Sequence, residues 1–80
     1  APAYPIESRR QREQGTVTLS LLLDTDGRVK DIAIARSSGS GRLDRAALDA
    51  VKRWRWAPLM VQGMAAMVRG EVRIPFVLKG

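Results

Sequence analysis

From Leu43 to Pro58 the apolar residues recur at helical spacing, and in the segments flanking that stretch they alternate at period two. A helix period set between strand periods confines the chain to an α+β architecture, in which the helix covers the apolar face of an antiparallel sheet. Asp44 is the expected N-cap, its carboxylate accepting from first-turn amides, with Leu43 and Leu48 forming a hydrophobic staple across it. Ala47, Ala50, Val51 and Trp54 form the stripe expected to be buried, and the small alanines allow close approach to a sheet. Lys52, Arg53 and Arg55 are expected in the last turn, where positive charge meets the negative end of the helix dipole. Pro58 forbids continuation much beyond Ala57.

The flanking strands are read in the same way. Thr16 to Asp24 places Val17, Leu19, Leu21 and Leu23 on one face and Thr16, Thr18, Ser20 and Leu22 on the other, the pattern of a half-buried strand. Asp24-Thr25-Asp26-Gly27 then makes a hairpin turn, since Gly tolerates positive φ. The return strand, Arg28 to Arg36, carries Val29, Ile32 and Ile34; a bulge near Lys30-Asp31 would bring all three to one face. Val68 to Leu78 alternates again, with Val68, Gly70, Val72, Ile74, Phe76 and Leu78 opposite Arg69, Glu71, Arg73, Pro75 and Val77. Pro75 cannot donate to a ladder, so this strand belongs at a sheet edge. Ahead of the first strand, Tyr4-Pro5 opens a polar surface helix over Ile6 to Gln14, pinned by Tyr4 and Ile6 and stopped by Gly15. Ser37 to Gly41 reads as a loop. Leu59 to Met67 is apolar without a period, with a turn at Gly63. The expectation is one domain over residues 1–80: a three-stranded antiparallel sheet with two helices on one face, in the order α-β-β-α-β.

Composition narrows the chemistry. With neither cysteine nor histidine, the chain has no disulfides, none of the usual zinc ligands and no Cys or His catalysis. Asp24, Asp26 and Asp31 cluster by a turn but lack the spacing of a calcium loop, so they read as turn formers. Ser37, Ser38 and Ser40 have no base to activate them, and Gly39 and Gly41 lack the Lys-Ser/Thr of a phosphate loop. No enzyme activity, metal or cofactor is expected. A formal charge of +6 suits nucleic acid, anionic lipid or an acidic polymer, and equally a plain basic surface. Trp54 and Trp56, interleaved with Arg55, read either as core and helix seal or as a stacking platform for bases. No apolar run reaches the roughly 18 residues of a transmembrane helix, and the start at Ala1-Pro2 is read as that of a domain cut from a longer protein. An edge strand at Val68 to Leu78 is a template for another chain. Arg69, Glu71, Arg73 and Pro75 are equally devices that guard such an edge.

Set in order, these segments resemble the C-terminal domain of TonB-family energy transducers. Tyr4-Pro5, then Gly15 opening a Gly-x-Val strand, resembles the family's opening. Asp26-Gly27-Arg28-Val29 resembles its hairpin; Leu43-Asp44, Ala46-Ala47-Leu48 and Ala50 resemble its helix. Trp54-Arg55-Trp56 with Pro58 resembles the helix exit, and Ile74-Pro75-Phe76 the last strand. The C-terminal domain of TolA is an analogous peptide-binding module, but the residue pattern fits TonB better. The resemblance implies a periplasmic domain of a protein anchored in the bacterial inner membrane, driven by an ExbB–ExbD-type motor. It would bind the TonB box of an outer-membrane receptor by strand addition and transmit force for uptake of siderophores, cobalamin or similar nutrients. It implies partner contacts at Arg69, Glu71, Val72, Arg73, Ile74, Pro75 and Val77 of the edge strand and at Tyr4 and Pro5 ahead of the first helix. A basic surface touching anionic cell wall would be an accessory; nucleic acid is not expected, though a basic nucleic-acid-binding module is the alternative reading. Three features depart from the family pattern: Ala1 and Ala3 stand where a glutamine is common, the first helix is poorer in apolar residues, and Leu59 to Met67 is unusually rich in methionine. Flexible methionines can line an adaptable partner surface.

Overall fold

The computed structural model describes residues 3–79; Ala1, Pro2 and Gly80 lie outside the described residues. The elements are α1 (Ile6–Arg10), β1 (Gly15–Leu23), β2 (Val29–Arg36), α2 (Gly41–Val51), β3 (Leu59–Val61), β4 (Met64–Ala66) and β5 (Val68–Phe76). The main sheet is antiparallel with strand order β2-β1-β5, and β3 and β4 form a separate two-stranded hairpin. The α+β reading with two helices and a three-stranded sheet therefore holds. The core is one cluster: Val17, Leu19 and Leu21 of β1, Ile74 and Phe76 of β5, and Leu43, Ala47 and Val51 of α2. The opposite face of β1 carries Thr16, Thr18 and Ser20, so the sheet is covered on one side only, as antiparallel sheets commonly are.

The β1–β2 hairpin follows from its sequence. Leu23 pairs with Val29 and Leu22 with Asp31, which leaves Lys30 as an extra residue, so the bulge lies where the break in alternation requires it. A second bulge, which alternation does not reveal, leaves Ala35 unpaired between Ile34 and Arg36. Ile34 stands opposite Leu19 on the core face, yet out on an edge strand it stays 42% exposed.

Helix boundaries differ from expectation, each for a tertiary reason. The first helix ends at Arg10 rather than Gln14, because Arg12 adopts left-handed φ (54°) and the Glu13 N–H returns to the Ser8 carbonyl at 2.8 Å. That six-to-one bond closes the helix. Gly15 is instead the first residue of β1, where a Cβ would stand 2.4 Å from the Ser38 carbonyl oxygen. Ile6 does not pin the helix: it is 68% exposed, and fully buried Ser8 faces inward.

The N-cap of α2 is Ser40, whose hydroxyl accepts from the Leu43 N–H at 3.3 Å, not Asp44. With the helix starting at Gly41, Leu43 is a core residue inside it rather than one half of a staple across Asp44. Asp44, buried in the first turn, reaches back and orders the serine loop. Its carboxylate accepts from the Ser38 N–H at 2.9 Å, the Ser38 hydroxyl at 2.7 Å and the Ser37 hydroxyl at 2.5 Å.

At its other end α2 stops at Val51, so Lys52, Arg53 and Arg55 do not lie in its last turn. The chain peels off because the hairpin tip captures it. The Trp56 N–H donates to the Gly27 carbonyl at 2.9 Å, and Arg55 bridges to Arg28. Gly27 has φ 83°, and a Cβ there would lie 1.9 Å from the Trp56 carbonyl oxygen. The Asp-Gly turn and the Trp-Arg-Trp exit are thus a single contact. Trp54 and Trp56, ring centroids 5.9 Å apart, are both half-buried against the core. Residues 59–67, aperiodic in sequence, form the β3–β4 hairpin around a turn at Gln62 and Gly63, both at positive φ. The last strand ends at Phe76 rather than Leu78.

Candidate functional site

The sheet has two outer strands, and they differ as templates for another chain. β2 is interrupted by its two bulges, a common way of spoiling an edge. β5 pairs with β1 without interruption from Val68 to Phe76.

Which backbone groups of β5 are free follows from the ladder, in which successive residues turn their N–H and C=O to opposite flanks. The Asp24 N–H donates to the Arg28 carbonyl at 2.8 Å, so even-numbered residues of β1 bond toward β2 and odd-numbered ones toward β5. The partners of Gly15, Val17, Leu19, Leu21 and Leu23 are Phe76, Ile74, Val72, Gly70 and Val68. These five bond inward. Arg69, Glu71, Arg73 and Pro75 present their backbone groups to solvent, with Val77 next in line. Pro75 sits at an outward position, so it forfeits no bond to β1 and only deletes one donor from the free edge.

The same residues carry the side chains of the uncovered face. Arg69, Glu71, Arg73 and Pro75 stand beside Leu22, Ser20, Thr18 and Thr16. An open depression of about 750 Å³ is lined there by Thr16, Thr18, Ala35, Arg36, Glu71, Arg73 and Pro75. Arg36 and Arg73 flank Thr18 from its two sides. Among the described residues neither guanidinium forms an ion pair; the pairs lie elsewhere, at Glu7, Glu13, Asp26 and Asp49.

The expected contact residues thus divide. Arg69, Glu71, Arg73, Pro75 and Val77 share the outward register, whereas Ile74 is buried, Val72 is half-buried, and both bond to β1. Tyr4 packs edge-on against Phe76 at the far end of β5, centroids 5.3 Å apart, and its hydroxyl donates to the Glu13 carbonyl. Pro5, half-buried, is the N-cap of α1 with φ −61°. Sequence reasoning missed Gln14, whose side-chain oxygen accepts from the Leu78 N–H at 3.0 Å and ties down the chain just beyond β5. No local pattern announces a contact across that separation.

The hairpin aspartates are engaged locally. Asp24 accepts from the Thr25 N–H, Asp26 from the Arg28 N–H and Asp31 from the Ile32 N–H. Among the described residues no three acidic side chains gather as a metal cluster, and no helix is long and apolar enough to cross a membrane.

Comparison with known proteins identifies the family and the fold. The family model for the Gram-negative bacterial TonB protein C-terminal matches residues 1–78. TonB of Vibrio cholerae is 34% identical over 79 residues, covering 99% of this chain and 32% of that protein. TonB of Xanthomonas campestris is 38% identical over 74 residues, covering 92% and 32%. The chain spans about a third of the length of these relatives. Among solved structures, the solution structure of the Pseudomonas aeruginosa TonB CTD superposes with a TM-score of 0.84 at 25% identity, covering 100% of this chain and 81% of that one. A Helicobacter pylori TonB-CTD gives 0.73 at 25% identity, covering 99% and 71%. The family model, the sequence identities and the superposition agree, and the chain belongs to the family of Gram-negative bacterial TonB protein C-terminal domains.

Proposed function

We propose that this domain captures an extended segment of an outer-membrane receptor, its TonB box, as a fourth strand along β5, and that pulling on this contact drives nutrient uptake. The observation that carries the reading is the regular, unpaired outer edge of β5, set against the twice-bulged edge of β2. Each backbone hydrogen bond contributes roughly 0.5–1.5 kcal/mol net, so selectivity falls to side chains flanking the added strand. Arg69, Glu71 and Arg73 are the candidates on the uncovered face, with Tyr4 and Pro5 at the far end. In this reading the domain is a mechanical coupling in the periplasm and not a catalyst. The rest of the protein supplies an inner-membrane anchor and the link to an ExbB–ExbD-type motor, and the cargo is a siderophore, cobalamin or similar nutrient. Unpaired arginines on the open face suit accessory contact with anionic cell wall.

A nucleic-acid module draws no support beyond charge, since Trp54 and Trp56 pack on the core and offer no free stacking platform. The test is a heteronuclear NMR titration with a receptor TonB-box peptide. Amides of Arg69, Glu71, Arg73 and Val77 should move most. Shifts confined to β2 and α2, or none even with intact receptor, would overturn the proposal.

A further inference from the structure

The β3–β4 hairpin concentrates exposed apolar side chains: Leu59, Met60, Val61, Met64 and Met67 are each 45–73% exposed. Its position relative to the free edge follows from the same alternation. Val61 and Met64 close a two-residue turn, so Met64 and Ala66 turn their backbone groups toward β3. Val68, Gly70 and Val72 turn theirs toward β1. All are even-numbered, and the alternation of burial runs unbroken across the junction: Ala66 and Val68 are half-buried, whereas Ala65, Met67 and Arg69 are exposed. Met67 lies between the two ladders and pairs in neither; with the alternation carried through it, β3 falls on the same flank as β1, beyond its end, and β4 follows β5 along the same edge. The molecular dimensions agree. A nine-residue strand spans only about 30 Å, whereas the molecule is 49 Å long and 18 Å wide.

We infer that the capture edge does not end at Arg69 but runs on through Met67 to Ala65, and that the partner is an extended peptide that continues along the hairpin. This rests on the reading of β5 as the capture edge and sets the partner's length and composition. Beside β5 the added strand meets Arg69, Glu71 and Arg73 on one face, which suits polar and acidic side chains at alternate positions. Beside β4 it meets Ala65 and Met67 on that face and Met64 on the other, so its end there is apolar on both faces. The methionines can adjust to different side chains at that end.

The test uses a peptide of about nine residues alternating threonine and valine, with flanking glutamates, matched to the span of β5. Two longer versions carry about four added apolar residues at one terminus or the other, so that one reaches the hairpin in either strand direction. That longer peptide should bind the wild-type domain about tenfold more tightly, and it alone should shift the amides of Ala65 and Met67. Met67→Pro removes an outward donor without touching the β3–β4 ladder, as Pro75 does further along. It should leave the short peptide's affinity unchanged and cut that of the longer one about 3- to 10-fold; Ala65→Pro should act in the same way. Equal affinity of short and long peptides, or a gain that survives both proline variants, overturns this inference and leaves β5 as the capture edge. Failure of every peptide to bind overturns this inference, while the reading of β5 as the capture edge stands or falls on the receptor TonB-box titration.

Discussion

Replacing Gly27 by alanine adds one methyl group where the hairpin tip meets the tryptophan segment, and the structure supplies the size of the effect. Gly27 has φ 83°, and its new Cβ would fall 1.9 Å from the Trp56 carbonyl oxygen. A left-handed alanine costs about 1–2 kcal/mol. Relieving the overlap moves a backbone carbonyl by more than 1 Å, an overpacking cost of about 1–3 kcal/mol. The Trp56 N–H to Gly27 carbonyl bond at 2.9 Å is then lost or stretched, removing about 0.5–1.5 kcal/mol. The stiffer unfolded chain returns only about 0.4–1 kcal/mol. The net loss is about 1.5–6 kcal/mol and centres on about 4 kcal/mol, against a total of about 4–12 kcal/mol for a chain of this length; the central value corresponds to a fall in Tm of about 16–32 °C. Gly39→Ala is the control. Its φ of 94° is equally left-handed, but no heavy atom lies within 4 Å of its Cβ position, so only about 1 kcal/mol is expected. Urea unfolding followed by tryptophan fluorescence and far-UV circular dichroism measures both. If the two variants lose the same stability within about 0.5 kcal/mol, the contact between turn and tryptophan segment is not what holds this end of the domain.

Three further outcomes are expected. Val72→Pro removes an N–H bonded to β1 and, by leaving the facing Leu19 carbonyl without its donor, should cost about 1–3 kcal/mol, whereas Arg73→Pro should fold like wild type and weaken TonB-box peptide binding beyond Arg73→Ala; matching melts for the two prolines would show the assigned alternation to be wrong. Asp44→Ala should cost about 1–3 kcal/mol, because donors of Ser37 and Ser38 lose their acceptor. Burial raises the Asp44 pKa, but the bonds from Ser37 and Ser38 outweigh it and hold the carboxyl below the ordinary aspartate range. The unfolded state therefore binds more protons, so this stabilisation is complete at neutral pH and lost as pH falls through the lowered pKa; urea titrations whose acid-side slope is the same for wild type and Asp44→Ala would contradict it. Tyr4→Phe should cost about 1 kcal/mol by losing the bond to the Glu13 carbonyl, and Tyr4→Ala at least about 1 kcal/mol more by losing the ring against Phe76. Chemical denaturation distinguishes that graded pair from a Tyr4 that contributes nothing.

Much of the fold was legible because its causes are local. Val17, Leu19 and Leu21 alternate because a strand has two faces, and they form the centre of the core. Asp24 to Gly27 turns because glycine tolerates positive φ, and the broken step from Val29 to Ile32 located a bulge before any partner strand was known. Pro75 marked an edge because it lacks a donor. What the chain alone did not disclose depends on partners distant in sequence. Asp44 looked like a cap, but the helix began earlier at Ser40 and left its carboxylate to organise the serine loop. The second helix looked able to run to Pro58, but the Gly27 carbonyl took the Trp56 N–H. Residues 59–67 showed no period because a hairpin exposed on both faces has no face to hide. Periodicity and turn chemistry record what each residue does with its neighbours in the chain. Where a helix stops, and which flank of a strand stays open, are set by competition for backbone hydrogen bonds between segments that meet only when the chain has folded.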